Sequence, residues 1–331
     1  MDVTRNEFQD LVGAYALDAC EPEEAAAIDA YIGEHADAAA EAERLRDVAS
    51  WLGAAGALHP PKGLRDRLLA VAAERFDPVP PVDALRRETE RFDALLDSLE
   101  PADLDVITYN GLSVRDLVSH VAIVDEAFVG EHAGSDRASW SFVGAEQVSE
   151  MTAAGLPATA GWSFAQIRER FTRARAALVS LDDKLPSTAK LAGYSLTSAL
   201  VIRAFETWTH CHDIASAVGR EEAPVEPPVL RAMAELAVQT LPVALAAKGY
   251  AYPGTTARVV MSGPGGGDWT IACTAGDTAG TIPDVVLRVP IVEFCRRFAD
   301  RLAVDEVPFE IDGDAGLGRA LVDAAPAFAG L

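Results

Sequence analysis

The feature that most constrains the fold is a long, mostly apolar stretch at residues 195–219, which reads SLTSALVIRAFETWTHCHDIASAVG. Its length and composition predict a helix in the core of a helical bundle. This helix nevertheless carries a carboxylate, Glu206, and an imidazole, His210, four residues apart and therefore on one face. Because a buried ionisable group is destabilising unless something pairs with it, the two form an exposed ion pair, a buried hydrogen-bonded pair or part of a metal site. His212 lies about 200° around the helix from His210 and faces elsewhere.

Composition excludes several classes of function. The chain has 331 residues, half of them hydrophobic, and a formal net charge of −23. This charge opposes nucleic acid and anionic membranes as partners. The four cysteines are isolated, so no Cys-x-x-Cys zinc site is expected and they are interpreted as reduced thiols. With no apolar run of about 18 residues and no signal-peptide pattern, we expect a cytoplasmic protein.

Proline-rich segments divide the chain into three predicted domains, at 1–76, 83–220 and 225–331. The first is rich in Ala and Glu, which predicts a small helical domain with helices at 6–19, 22–55 and 63–76. The segment DPVPPV at 77–82 is interpreted as a semi-rigid linker. The fold class that follows is mostly α, with a central four-helix bundle and a C-terminal α+β domain.

The central domain is predicted to hold four helices of an antiparallel bundle, at 82–100, 113–134, 163–181 and 195–219. Ser113 and Asp116 resemble a capping box, which places a helix start at 113. The C-terminal domain is predicted to contain one helix followed by strands at 256–263, 268–276, 284–290 and 307–314, with helices at 291–302 and 316–330. The glycine run GPGGGD lacks the ending of a phosphate-binding loop and is interpreted as a hairpin turn.

A second histidine supports the metal alternative for the core helix. His120, in RDLVSHVAIV, shares an apolar stripe with Leu117, Val121 and Val124, so we expect it to face the bundle interior. Alone, a histidine in this position is more often a hydrogen-bonded core histidine than a metal ligand. Together with Glu206 and His210 it makes two imidazoles and a carboxylate, a set that suits Zn²⁺ with one position left open. Asp213, three residues after His210, could orient one of these ligands by accepting a hydrogen bond from it.

These residues carry a resemblance to a known family. YNGLSVRDLVSHVA and RAFETWTHCHDIASAVG resemble two signatures of the mycothiol-dependent maleylpyruvate isomerases, a branch of the DinB-like bundles, and the resemblance extends over roughly residues 80–331. It implies that His120, Glu206 and His210 hold a divalent metal, usually zinc. It also implies that mycothiol, a thiol of actinobacteria, occupies the open position. The chain would then either isomerise a small electrophilic substrate or transfer the thiol to it.

The same resemblance implies an arginine of the C-terminal domain that binds an anionic substrate. Arg301 is the candidate for this catalytic role, and Arg296 and Arg297 compete with it in the same helix. The sequence departs from the family pattern at Leu112, where Trp is common, and at Cys211 and His212, where a small residue and Trp are common. We expect these departures to reshape the wall of the substrate pocket.

The N-terminal part resembles a different family. Residues 11–52 are similar to the helical domain of zinc-binding anti-sigma factors. The positions of that family's His-x-x-x-Cys-x-x-Cys ligands are occupied here by Tyr31, His35 and Ala38, so no metal is expected there and His35 is predicted to be a surface or capping residue. The alternative function is therefore a regulator whose residues 1–76 bind a sigma factor and whose bundle senses a thiol, metal or electrophile.

Overall fold

The computed structural model describes residues 3–17, 19–56, 78–130, 145–191 and 193–328. The chain separates into two compact units, Met1–Leu64 and Arg65–Leu331. The described residues are mostly helical, with a small sheet near the C-terminus, which confirms the predicted fold class. The helix predicted at 63–76 lies outside the described residues.

The first unit contains three described helices, α1 (Arg5–Ala16), α2 (Pro22–Glu34) and α3 (Ala36–Gly56). The single helix predicted over 22–55 is wrong, because the chain is extended at His35 (φ −129°, ψ 96°). Nδ1 of His35 donates to the carbonyl oxygen of Tyr31 at 2.9 Å, and the two rings stack. His35 thus caps the end of α2, one of the two roles predicted for it.

A small apolar core holds these helices together. Its buried members come from all three helices: Phe8, Val12, Tyr15, Ile28, Ala38 and Ala42. Ala38 occupies one of the positions at which anti-sigma factors carry a zinc ligand, and here that position contributes to the core. The expected absence of a metal in this unit stays a prediction.

The second unit begins with the predicted bundle. Its four helices are α4 (Pro81–Asp97), α5 (Val114–Gly130), α7 (Phe164–Val179) and α8 (Leu196–Val218). Helix α4 packs along α8, and α5 packs along α7. A further helix that the sequence did not predict, α6 (Ala145–Gly155), packs on α5. A short hairpin of β1 (Lys190–Leu191) and β2 (Tyr194–Ser195) precedes α8.

Local capping explains where these helices begin and end. The hydroxyl of Ser113 donates to Oδ2 of Asp116 at 2.6 Å and accepts from its backbone N–H at 3.3 Å, so the predicted start of α5 is confirmed. Ser163 caps α7 through Gln166 in the same way. Helix α8 ends at Gly219, whose φ of 67° lies in the left-handed region that glycine adopts at little cost.

The rest of the unit is an α+β region. It contains α9 (Pro227–Ala247), α10 (Ile291–Phe298), α11 (Ala315–Ala324) and the strands β3 (Thr256–Ser262), β4 (Gly267–Ala272), β5 (Val285–Pro290) and β6 (Glu310–Gly313). The sheet order is β4-β3-β5-β6. Strands β3 and β5 are parallel, and the other two pairs are antiparallel. Helix α10 is shorter than predicted, because it ends at Phe298.

The glycine run forms the turn between β3 and β4, as predicted. Gly265 has a φ of 83°, and a Cβ on Gly266 would lie 2.3 Å from the carbonyl oxygen of Met261. Only glycine fits where the backbone passes so close to itself. The run is therefore explained by the hairpin.

The bundle and the sheet share one hydrophobic core. Leu85 of α4, Leu200 of α8, Met233 of α9 and Val259 of β3 belong to the same buried cluster. Among the described residues, α9 is long and apolar enough to cross a membrane by length and composition. Its buried face packs in this shared core, which is the environment of an apolar core helix. The boundary predicted between 220 and 225 stays a prediction.

Candidate metal centre

His120 lies on α5 and faces the bundle interior, with 8% of its surface exposed. Its Nδ1 is 2.7 Å from the hydroxyl oxygen of Thr152 on α6. That hydroxyl donates its own hydrogen to the carbonyl oxygen of Val148 at 2.8 Å, so its lone pair accepts from His120. The hydrogen-bond pattern therefore assigns the proton to Nδ1 and leaves a free lone pair on Nε2.

His210 on α8 is held in the same tautomer by a different partner. Its Nδ1 is 3.0 Å from Oδ2 of Asp213. Burial by itself would raise the pKa of Asp213, but hydrogen bonds from Arg301 and His210 outweigh burial and lower it to about 2. The ionised carboxylate can only accept, so Nδ1 of His210 donates. The predicted orienting role of Asp213 agrees with this geometry.

The three predicted ligands converge on one point. His120, Glu206 and His210 each offer a ligand atom, and these atoms lie within 4.8 Å of one another. The two imidazole rings are nearly perpendicular, with centroids 5.2 Å apart. Burial lowers the pKa of His120 well below its usual value, and His210 and Arg203 lower it further, which keeps this imidazole neutral as a ligand must be.

The orphaned atoms of this cluster fit a cation. Nε2 of His210 is 3.2 Å from Oε2 of Glu206, yet this contact lacks hydrogen-bond geometry and the nitrogen is buried with no hydrogen-bond partner. A lone pair facing a carboxylate oxygen requires a proton or a cation nearby. Burial disfavours the proton, but the interactions with the carboxylates of Asp213 and Glu206 outweigh burial and raise the pKa of His210. Two imidazole nitrogens and one carboxylate oxygen are ordinary zinc ligands.

A buried ion network that the sequence did not reveal lies behind Glu206. Asp125 of α5 accepts from Nε of Arg175 and from Nε of Arg203, both at 2.8 Å. Nη1 of Arg203 lies 3.6 Å from Oε2 of Glu206. All three members of the network are at most 4% exposed. The positive guanidinium stabilises the negative charge of Glu206 and leaves that carboxylate facing the two imidazoles.

Arg301 reaches the same site from the end of α10. Asp300 adopts a φ of 58°, and the N–H of Arg301 donates to the carbonyl oxygen of Arg296 at 2.8 Å, a helix-ending turn that redirects the chain. Nε and Nη2 of Arg301 then donate to both carboxylate oxygens of Asp213, at 2.8 and 2.7 Å. The guanidinium also lies 3.4 Å from the ring centroid of Tyr109.

The two competing arginines have other contacts. Arg297 is buried, and its guanidinium donates to the carbonyl oxygens of Val322, Asp323 and Leu302, a structural arrangement. Nη2 of Arg296 lies 3.4 Å from Nδ1 of His212, outside the main cavity. Of the three candidates, Arg301 is the one that lines the cavity containing the metal cluster.

That cavity has a volume of about 710 Å³. It lies between α5, α6, α8, α9 and the end of α10, with the three candidate ligands in its wall. Its apolar lining consists of Leu112, Leu117, Val148, Ala153, Leu156, Ile202, Phe205, Leu236, Val243, Phe298 and Ala299. A lining of this kind with a few converging polar groups is typical of a small-molecule site.

Of the three departures from the family pattern, one lies in the cavity wall. Leu112 lines the cavity, as expected. Cys211 is buried in a separate apolar cluster, and His212 binds Glu222 at 2.9 Å and borders a smaller cleft of about 260 Å³. The expectation that Cys211 and His212 reshape the main pocket is therefore wrong, because both side chains leave the helix on its other faces.

Comparison with known proteins finds a family match over the part of the chain that contains the candidate ligands. Residues 85–215 match the family model described as the mycothiol maleylpyruvate isomerase N-terminal domain. The crystal structure of the mycothiol-dependent maleylpyruvate isomerase is 17% identical, covering 70% of this chain and 91% of that chain, with a TM-score of 0.47. A histidine-to-alanine mutant of the mycothiol-dependent maleylpyruvate isomerase is 16% identical over the same shares, also with a TM-score of 0.47. No curated protein matches the chain.

The matched segment contains all three candidate ligands. Arg301 and the sheet lie beyond it, and the resemblance of residues 11–52 to anti-sigma factors rests on the sequence alone. For the helical bundle of this chain, the match supports the mycothiol maleylpyruvate isomerase family.

Proposed function

We propose that the chain is a zinc-dependent cytoplasmic enzyme that uses mycothiol, as an isomerase or a thiol S-transferase acting on a small electrophile. The observation that carries the proposal is the convergence of His120, Glu206 and His210, with both imidazoles held as Nδ1–H tautomers. The family match over residues 85–215 supports the choice of mycothiol as the thiol. A divalent metal bound there supplies a Lewis acid that lowers the pKa of a coordinating thiol.

The residues of the chain prepare this site in three ways. Thr152 and Asp213 fix the orientation of the two imidazoles, as partners of metal-binding histidines commonly do. Arg203 lies beside Glu206 and offsets its charge. His120 is 8% exposed, and the side chains of Glu206 and His210 are at most 14% exposed, so electrostatic interactions among them are stronger than in water.

A role for Arg301 in catalysis stays a proposal. Its bidentate contact with Asp213 supports an action through His210, because Asp213 holds that imidazole. On this proposal Arg301 is a positioning residue, and its loss should weaken metal binding as well as turnover. Arg301→Lys keeps the charge but not the fork of two parallel hydrogen bonds, so it should restore only part of the metal affinity.

Metal analysis of the purified protein tests the core of the proposal. We expect about one zinc per chain in the wild type and loss of it in His120→Ala and in Glu206→Gln. His212→Ala is the matched control, because this histidine lies on the same helix but binds Glu222 instead. A wild type that contains no metal after purification without chelator would refute the proposal. So would zinc contents of His120→Ala and Glu206→Gln that equal that of the wild type.

Cobalt substitution then tests the thiol. The absorption spectrum of the Co²⁺ form should change when mycothiol is added, because a thiolate ligand enters the coordination sphere. The control is an analogue of mycothiol in which a hydroxyl replaces the thiol. Its addition to the Co²⁺ form should not produce that spectral change. An unchanged spectrum with mycothiol would remove it as the ligand.

The alternative function, an anti-sigma-type regulator, rests on the N-terminal helices. Leu17 and Val48 are 65% and 52% exposed, and apolar side chains of this kind could pack against the helices of a sigma factor. Gel filtration of the full chain with each sigma factor of the host tests this alternative. Absence of a complex with every one of them would remove it.

A further inference from the structure

Part of the cavity wall is formed by large apolar side chains. Leu236 and Val243 of α9, Leu156, which follows α6, and Phe298 of α10 all line the cavity. Val243 is 48% exposed, so this apolar surface is open to an incoming molecule. Such a wall contributes to binding only if the ligand buries apolar surface against it, at about 25 cal/mol per Å².

The charges around the cavity offer little to an anion. Apart from the candidate ligands, the charged side chains that line it among the described residues are Asp300 and Arg301. Arg301 already gives two hydrogen bonds to Asp213. Nη1 of the same guanidinium donates to the carbonyl oxygen of Ala299 at 2.5 Å. A carboxylate could therefore form a bidentate pair with the Nε–Nη2 edge only by displacing Asp213, which in turn holds His210. Asp300 and the net charge of −23 add repulsion.

The size of the cavity also bears on its ligand. Its volume of about 710 Å³ lies well within the range of roughly 300–1,000 Å³ that encloses drug-sized molecules. Under the proposed function mycothiol shares this volume with the electrophile, so the apolar wall bears on the choice more than size does. A short dicarboxylate would leave that wall without a partner. A molecule with an alkyl or aryl group would cover that wall.

We infer that the electrophile bound by this cavity is an uncharged molecule with a substantial apolar group, rather than a short dicarboxylate. The inference rests on the proposed function, since it names the substrate class of that site. Leu156, Leu236 and Val243 select this molecule through its apolar surface. Arg301 remains paired with Asp213 throughout.

A matched pair of unreactive ligands tests the inference without turnover. Dibutyl succinate is neutral and carries two butyl groups, whereas succinate has the same four-carbon diacid core without them and two negative charges. Isothermal titration of the purified, metal-containing wild type should give an affinity for the diester at least about tenfold higher than for succinate. Equal affinities, or tighter binding of succinate, would overturn the inference.

Two exposed aliphatic residues provide a variant and its control. Val243→Asn changes the cavity wall, and Ile282→Asn changes a residue that is 83% exposed and does not line the cavity. We expect Val243→Asn to weaken diester binding about fivefold and Ile282→Asn to change it less than about twofold. An unchanged affinity in Val243→Asn would overturn the assignment of this wall.

Metal content, measured on the same samples, separates the two proposals. A metal-containing protein that prefers succinate overturns the inference and leaves the proposed function standing. A metal-free protein that prefers the diester overturns the proposed function and supports the apolar selectivity of the cavity.

Discussion

A buried carboxyl group on α4 should make the stability of the second unit depend on pH. Glu88 is 1% exposed. Its Oε2 accepts from Nε of Arg91 at 3.0 Å, and its Oε1 has no hydrogen-bond partner. Burial raises the pKa of Glu88 to about 7; Arg91 opposes this shift, and the nearby Glu222 and Glu226 add to it.

The sign and size of the effect follow from linkage. The pKa of this carboxyl in the folded chain lies about 2.5 units above the unfolded value of 4.5, so the folded state holds the proton more tightly. The stability that this proton contributes is complete below pH 4.5 and is lost as the pH rises through 7. At about 1.4 kcal/mol per unit, the loss amounts to about 3 kcal/mol at pH 8.

Urea unfolding of Glu88→Gln at pH 5 and pH 8 measures this loss. Glutamine resembles the neutral acid at every pH, so the variant should nearly match the wild type at pH 5 and exceed its free energy of unfolding by about 2–3 kcal/mol at pH 8. Four of the five tryptophans lie beyond residue 77, so fluorescence follows the second unit. Glu90→Gln, on the exposed side of the same helix, is the control and should shift stability little at either pH. A difference between Glu88→Gln and wild type that is the same at both pH values would refute the reasoning.

Three further changes probe the surroundings of the candidate metal centre. Asp125→Asn leaves two buried guanidiniums without their shared carboxylate and should lower the free energy of unfolding by about 3–5 kcal/mol in urea titrations; a loss under 1 kcal/mol would contradict it. Asp213→Asn should weaken zinc binding about 10–100-fold in competition with a chelator, with an unaltered circular dichroism spectrum; unchanged affinity would show that His210 needs no partner. Thr152→Val removes the acceptor of His120 and should weaken zinc binding in the same assay, whereas Thr152→Ser should retain it; equal affinities of the two variants would argue against the assigned tautomer.

The long elements of the second unit could be predicted because their signals are local. The helix that carries Glu206 and His210 shows apolar residues at helical spacing, and Ser113 with Asp116 marks a helix start two turns before His120. These patterns also bring the three side chains to the bundle interior. The convergence of their ligand atoms depends on how the helices pack against one another. The sequence predicts only that these helices form a bundle.

The unpredicted features depend on the wider structure. Helix α6 is short, and without it Thr152 had no predicted place near His120. The bond between Arg301 and Asp213 joins residues 88 positions apart, and no spacing rule anticipates it. The break at His35 lies in a run of strong helix formers, where the stacking of its ring on Tyr31 and its bond to that residue's carbonyl oxygen compete with helix continuation.

The core shared by the bundle and the sheet limits how this architecture can be recombined. Leu200 and Val259 belong to one buried cluster, and Arg301 supports Asp213 from beyond the matched family segment. Cutting the chain after α8 would expose the apolar faces of α8 and α9 and would deprive His210 of its anchored partner. The helices that carry the candidate ligands therefore cannot be transferred alone. Grafting them onto another scaffold would require Arg301 and its supporting turn from the C-terminal third of the chain as well.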